Sequence, residues 1–160
     1  MRRHRSLAVL VSSYREKVVQ PYIRRKIPMP DREVIIPDAM QALAERAGYA
    51  PAVKVGATLF CAGQVGRTDD LQVIADPEQQ FIAAWKNLRS VLQAGGCDFE
   101  DVVDMTTYHL DMARHMAVFR EVKNRLFPKG LCAWSCIGVS ELAHPGLLVE
   151  IKCVAVQRSH

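Results

Sequence analysis

The segment from Leu147 to Val156, LLVEIKCVAV, constrains this chain more than any other, because it is apolar apart from Glu150 and Lys152. Successive side chains of a strand point to opposite faces, so Leu148, Glu150, Lys152, Val154 and Val156 share one face and Val149, Ile151, Cys153 and Ala155 the other. Both faces are apolar, which predicts a strand covered on two sides. Glu150 is the exception. A carboxylate among Leu and Val needs a partner, a proton or a task. The stretch from Ala133 to Val156 reads as two extended segments, of which Leu147 to Val156 is the second, joined through the loop around His144-Pro145-Gly146.

The rest of the chain supplies the cover for one of those faces. REVIIP at Arg32 to Pro37 is short, β-branched and closed by proline, as an edge strand is. Asp38 to Ala47 has helix formers behind an Asp and is stopped by Gly48. AVKVGATLFCAG then reads as two strands around a tight turn at Gly56-Ala57, and Val65 to Leu71, with GRTDDL, as a polar loop. Asp76 is a helix N-cap, with Pro77 at the first helical position and Gln79 at the third place of a capping box. Phe81, Ala84, Trp85, Leu88, Val91 and Leu92 follow at helical spacing until Gly95-Gly96, a stripe that belongs to the core. Asp101 to Leu110 is β-rich and reads as a central strand. A second helix is predicted from about His115 to Leu126, ended by Pro128 and Gly130. The expected class is α+β, a mixed sheet of about six strands with two main helices on one face. Nothing remains to cover the other face, so it is expected to bind further copies of the chain.

Composition narrows the setting. The chain has 160 residues, 49% of them apolar and 24% charged, enough for one domain to bury a core without disulfides. Its cysteines, Cys61, Cys97, Cys132, Cys136 and Cys153, are odd in number and lie largely in apolar segments, the pattern of reduced thiols in a cytoplasmic protein. Cys132 and Cys136 have no second pair to complete a zinc set, so no metal is expected. No apolar run approaches the roughly 20 residues of a membrane span. The net charge of +4 conceals a division: residues 1–28 hold eight Arg or Lys against Glu16, and the remainder has 13 basic against 16 acidic residues. The basic arm reads as a nucleic-acid or membrane-binding segment, an organelle-targeting peptide, or an extension ahead of a natural start at Met29. The last is preferred, with residues 29–160 as the single folded domain. An acidic body argues against a nucleic-acid surface there.

Motif searches for dinucleotide, Walker, zinc-protease and serine-hydrolase signatures find nothing. His109, His115 and His144 are unpaired in sequence, and a Ser135 dyad with His109 or His144 stays open. A different pattern does emerge, in Gly48-Tyr49, Gly56, AGQVG at Ala62 to Gly66, the capped helix ending in AGG, the Asp101 strand, and Ser135-Cys136 leading to VEIKCVAV. In that order and spacing, over about two thirds of the chain, it resembles the Rid family, also called YjgF, whose best known members hydrolyse reactive enamines and imines to ketones and ammonia.

The resemblance implies a chorismate-mutase-like fold assembled as a trimeric barrel, with pockets between subunits and no cofactor. It also implies a pocket lined by Tyr49, Ala62, Gly63, Trp134, Ser135 and Cys136, with Glu150 as the catalytic group. In deaminating members an arginine precedes the Ser-Cys pair and clamps a substrate carboxylate through a two-pronged hydrogen bond. Trp134 stands there in this chain, as is similar to the YjgH-like subgroup, and an indole can neither carry the charge nor donate two parallel bonds. The expected function is hydrolytic deamination of small enamine or imine metabolites without metal. Glu150 would orient water or shuttle a proton, Trp134 would form an apolar wall, and N–H groups near Gly63 and Cys136 would hold a polar substrate atom. The alternative is a non-catalytic trimer that binds a ligand or stabilises a partner. In that case Glu150 would pair with Lys152 or across a subunit boundary. A ribonuclease, the third reading, fits an acidic body poorly.

Overall fold

The strand that ends the chain is also the one on which the sheet is built. A computed structural model describes residues 31–127 and 132–158, and the basic arm of residues 1–28 lies outside them. Strand β7, Val149–Val156, pairs antiparallel with β3, Thr58–Cys61, on one side and with β5, Val102–His109, on the other, while the two-residue β4, Gln64–Val65, pairs with its first half. Beyond β3 lie β2, Ala52–Val55, and the edge strand β1, Arg32–Ile35; beyond β5 lies β6, Ala133–Gly138. Only the β5 to β6 pairing is parallel, and a parallel neighbour needs a crossover of a dozen residues or more. Helix α3, Met112–Leu126, lies in that crossover.

Local chemistry accounts for most boundaries. Between β1 and β2, a 3-10 turn at Asp38–Met40 runs into α1, Gln41–Ala47, which ends where Gly48 turns to a φ of 69° and returns its N–H to Ala44 O. The β2 to β3 turn relies on Gly56 at φ 58°. Helix α2, Pro77–Ala94, starts as expected: Asp76 Oδ1 accepts the Gln79 N–H at 2.9 Å, with proline in the first turn. Helix α3 begins three residues before the predicted His115. Its N-cap, Asp111, is of a residue type favoured there, but it has φ 46° and ψ 49° and makes no side-chain cap bond.

Alternate residues of the sheet have two different fates. Leu59, Cys61, Met105, Val149, Ile151, Cys153 and Ala155 are buried against α2 and α3, which add Phe81, Ala84, Trp85, Leu88, Val91, Leu92, Phe119 and Val122. Trp85 is surrounded by the rings of Phe99, Phe119 and Phe127, centroids 5.3 to 6.0 Å away. The opposite face has no layer over it among the described residues. Val34, Phe60, Ile137 and Val156 are 49%, 49%, 42% and 40% exposed there, on one face by register. No described helix is long and apolar enough to cross a membrane.

One buried amide ties the helical layer to the loops at the end of the sheet. Gln80, on the first turn of α2, has no solvent exposure. Its Nε2 donates to Ile74 O at 2.7 Å and Gly146 O at 2.9 Å, and its Oε1 accepts the Leu148 N–H at 2.6 Å. The loop of residues 66–74 packs so closely on α2 that a Cβ at Gly66 would overlap the Gln80 backbone. Gln80→Leu strands a buried N–H and two carbonyls, so we expect a loss of about 3 kcal/mol or more in urea unfolding. A loss below about 1 kcal/mol would show that water or a neighbour replaces the amide.

Candidate functional site

Glu150 falls on the uncovered face, next to β7's junctions with β4 and β5. By register it lies opposite Val65 on one side and Tyr108 on the other. Its carboxylate rests against Gly63, where any side chain would collide with it: a Cβ built on Gly63 overlaps Glu150 Oε1. Glycine at 63 is therefore required by packing, with no need of an unusual φ. Glu150 also borders an open cleft with Tyr108, Val139 and Glu141. Among the described residues no cation, Lys152 included, lies within 4.0 Å of a Glu150 oxygen. The intrachain ion pair with Lys152 is absent.

Gly63 also lines a cavity of about 190 Å³ between α1, the loop after β4, and α2. Met40 and Leu43 give it an apolar wall, Tyr49, Gly63 and Gln64 the side toward the sheet, and Arg67 and Asn87 the side toward α2. Burial pushes the Tyr49 hydroxyl above its usual range, an effect that Arg67 opposes and Glu150 reinforces. Tyr49 thus feels both charges. Asn87 Nδ2 donates to Val65 O at 2.9 Å and Arg67 O at 3.3 Å, which fixes the backbone that carries Arg67.

The structure brings Tyr49, Gly63 and Glu150 together, but not all the predicted residues. The Ala62 N–H is already used, donating to Pro51 O at 2.8 Å, and its carbonyl accepts from Gln64 Nε2. Ser135 is exposed on β6 opposite Thr106, on the Glu150 face, and Cys136 is exposed opposite Thr107, on the other face. Trp134 aligns with Met105 and Cys153, on the face that the helices cover. Its Nε1 donates to Thr107 Oγ1 at 2.9 Å, and that oxygen lies 2.8 Å from His109 Nε2. Lys123 Nζ stands 5.0 Å from the Trp134 ring centroid, and Phe119 packs beside it. Within the chain, then, Trp134 and Glu150 occupy opposite faces of the sheet.

His109 belongs to this covered network rather than to the cleft. It is 1% exposed, with its ring edge-on to Phe119 at 4.6 Å, and burial lowers its pKa to about 4. A Ser135 dyad with His109 has no geometry, since the two residues face opposite ways. Arg67 is the residue that sequence reasoning missed, because a cation inside GRTDDL looks like any solvated loop charge. Among the described residues no three His, Cys, Asp or Glu converge as metal ligands.

The pattern of the endoribonuclease L-PSP family matches residues 39–157. The chain is 34% identical over 128 residues to the RutC family protein YjgH of Escherichia coli, covering 79% of this chain and 96% of that one. It is 34% identical over 111 residues to the 2-iminobutanoate/2-iminopropanoate deaminase of Mus musculus, covering 68% and 81%. A solved structure of protein YJGH superposes with a TM-score of 0.74 at 33% identity, over 81% of this chain and 98% of that one. A member of the YjgF family from Mycobacterium tuberculosis gives 0.67 at 28%, over 79% and 99%.

The covered network carries its own pH signature. The folded pKa of His109, about 4, lies below the ordinary 6.5 of an unfolded histidine, so the unfolded state binds the extra proton in between. Stability is complete above pH 6.5 and falls as pH drops through that window, by about 3 kcal/mol at pH 4. His109→Gln should flatten this part of a stability-against-pH curve. Parallel curves for wild type and variant would contradict the assignment.

Proposed function

The chain belongs to the endoribonuclease L-PSP family, the Rid or YjgF family, and from that premise we propose a hydrolase of carbon-nitrogen bonds, acting on small enamines or imines in a cytoplasmic homotrimer. The observation that carries the reading is the Glu150 carboxylate, seated against Gly63 on the open face with no cation within 4.0 Å among the described residues. Relatives named as 2-iminobutanoate/2-iminopropanoate deaminases support the reaction class. An uncovered apolar sheet face supports the assembly, since exposed apolar area of this kind is normally buried by association.

The chemistry needs one group that alternates between base and acid. Glu150 accepts a proton from water as the oxygen bonds to the imine carbon and the carbon-nitrogen π electrons move to nitrogen. The same carboxyl then returns that proton to nitrogen to give a carbinolamine; it next takes the hydroxyl proton and passes it to nitrogen as the carbon-oxygen π bond forms and the carbon-nitrogen bond breaks, so that ketone and ammonia leave. Gly63, having no side chain, leaves the Glu150 carboxylate room to lie against the backbone. Tyr49 borders the adjoining cavity, where its hydroxyl can orient a bound ligand.

Trp134 favours a second reading, a ligand-binding trimer without catalysis, because its indole is held by Thr107 and Lys123 under α3. Ammonia release from freshly generated imino acids separates the two. Wild type should exceed the spontaneous rate, and Glu150→Gln should lose at least about a hundredfold of that acceleration. Equal rates for wild type, variant and buffer would leave the binding module.

A further inference from the structure

We propose that α1 is a lid over the cavity beside Tyr49, and that molecules enter and leave this cavity when α1 unfolds locally between Pro37 and Gly48. The inference goes beyond the reaction proposed above and holds for a hydrolase and a binding module alike, since it rests on how the cavity wall is held. That wall has two unequal sides. Asn87 is tied to Val65 O and Arg67 O, and a Cβ at Gly66 would overlap the Gln80 backbone, so α2 and the loop after β4 form one fixed side. Ala39, Met40 and Leu43, from the 3-10 turn and α1, form another.

Little holds α1 in place. None of its seven residues is buried; Leu43 and Ala44 are half-buried and the other five are exposed. Met40, in the turn before it, is the buried anchor. The backbone bonds at its two ends are local: the Met40 N–H donates to Pro37 O at 2.8 Å and the Gly48 N–H to Ala44 O at 3.0 Å. Among the described residues no ion pair holds Glu45 or Arg46, and the bond from Gln41 Nε2 to Ile36 O is long, at 3.4 Å. Isolated helices shorter than about 12 residues are marginal in water, so α1 depends on the packing of Met40 and Leu43. Segments with so few buried apolar contacts open without the rest of the fold. The ends of α1 suit such a motion. Pro37, φ −58°, stiffens the chain before it, and Gly48, at a φ of 69° that favours glycine, turns the chain after it, one residue ahead of Tyr49.

Peptide-resolved hydrogen exchange on the purified full chain, in its native assembly, tests the lid. Amides of residues 45–48 should exchange at least about a hundredfold faster than those of α2 and β7, at a rate that low urea leaves unchanged, because a local opening exposes little surface. Glu45→Gly alters an exposed position and lowers the tendency of α1 to form; it should speed that exchange about fivefold and leave the urea midpoint of the fold unchanged. Passage into the cavity is read at Ser90→Cys, a half-buried lining position on α2, by the rate at which iodoacetamide labels the new thiol, followed by mass spectrometry of its peptide. Adding Glu45→Gly should raise that rate by the same factor. Exchange of α1 only through global unfolding, as a second copy clamped over it would give, would overturn the proposal. So would a labelling rate indifferent to Glu45→Gly.

Discussion

A sheet with two apolar faces, of which the described helices cover one, is the constraint on which this molecule depends. Strand β7 lies inside the sheet, so its residues have no edge to escape to. Val149, Ile151, Cys153 and Ala155 go under α2 and α3 and are almost fully buried, while Glu150, Lys152, Val154 and Val156 go to the face that has no layer over it among the described residues. At about 25 cal/mol per Å² of apolar surface, that open face is a substantial driving force for association. The same parity places the candidate acid on the side where other copies would sit.

Helix α2 couples the stability of the fold to the shape of the site. Its apolar stripe fills the core, and two amides, Gln80 and Asn87, reach the loops instead of the core. Gln80 holds Ile74, Gly146 and Leu148, the last of these two residues before Glu150; Asn87 holds Val65 and Arg67. The segments that carry Glu150 and Arg67 are therefore hung from one helix through directional bonds. Gly63 and Gly66 permit the close approach on either side, since a Cβ at the first would strike Glu150 and at the second the backbone of α2. Such a site is positioned by rigid elements even though several of its residues are in loops.

Much of this was legible in the sequence because it depends on local period and local caps. The α2 boundaries follow from Asp76, Pro77 and Gly95, the hairpin from Gly56, and the place of Glu150 from simple alternation along β7. The uncovered face followed from counting helices against apolar strand faces. What escaped depends on pairing between distant segments. The parallel register of β6 on β5 decides that Trp134 meets Thr107 beneath α3, and no property of AWSCIG reveals it. The left-handed Asp111 hides the start of α3. Arg67 looks ordinary in sequence, and what sets it apart is a buried Nε without a hydrogen-bond partner among the described residues.

The central claim is that the open face of the sheet is an interface and that the Glu150 cleft is completed there. Sedimentation velocity on the purified chain tests it most directly. The account predicts one species at three times the mass of the 160-residue chain, unchanged on dilution through the micromolar range. A stable single subunit, with Val34, Phe60 and Val156 left to solvent, would contradict it.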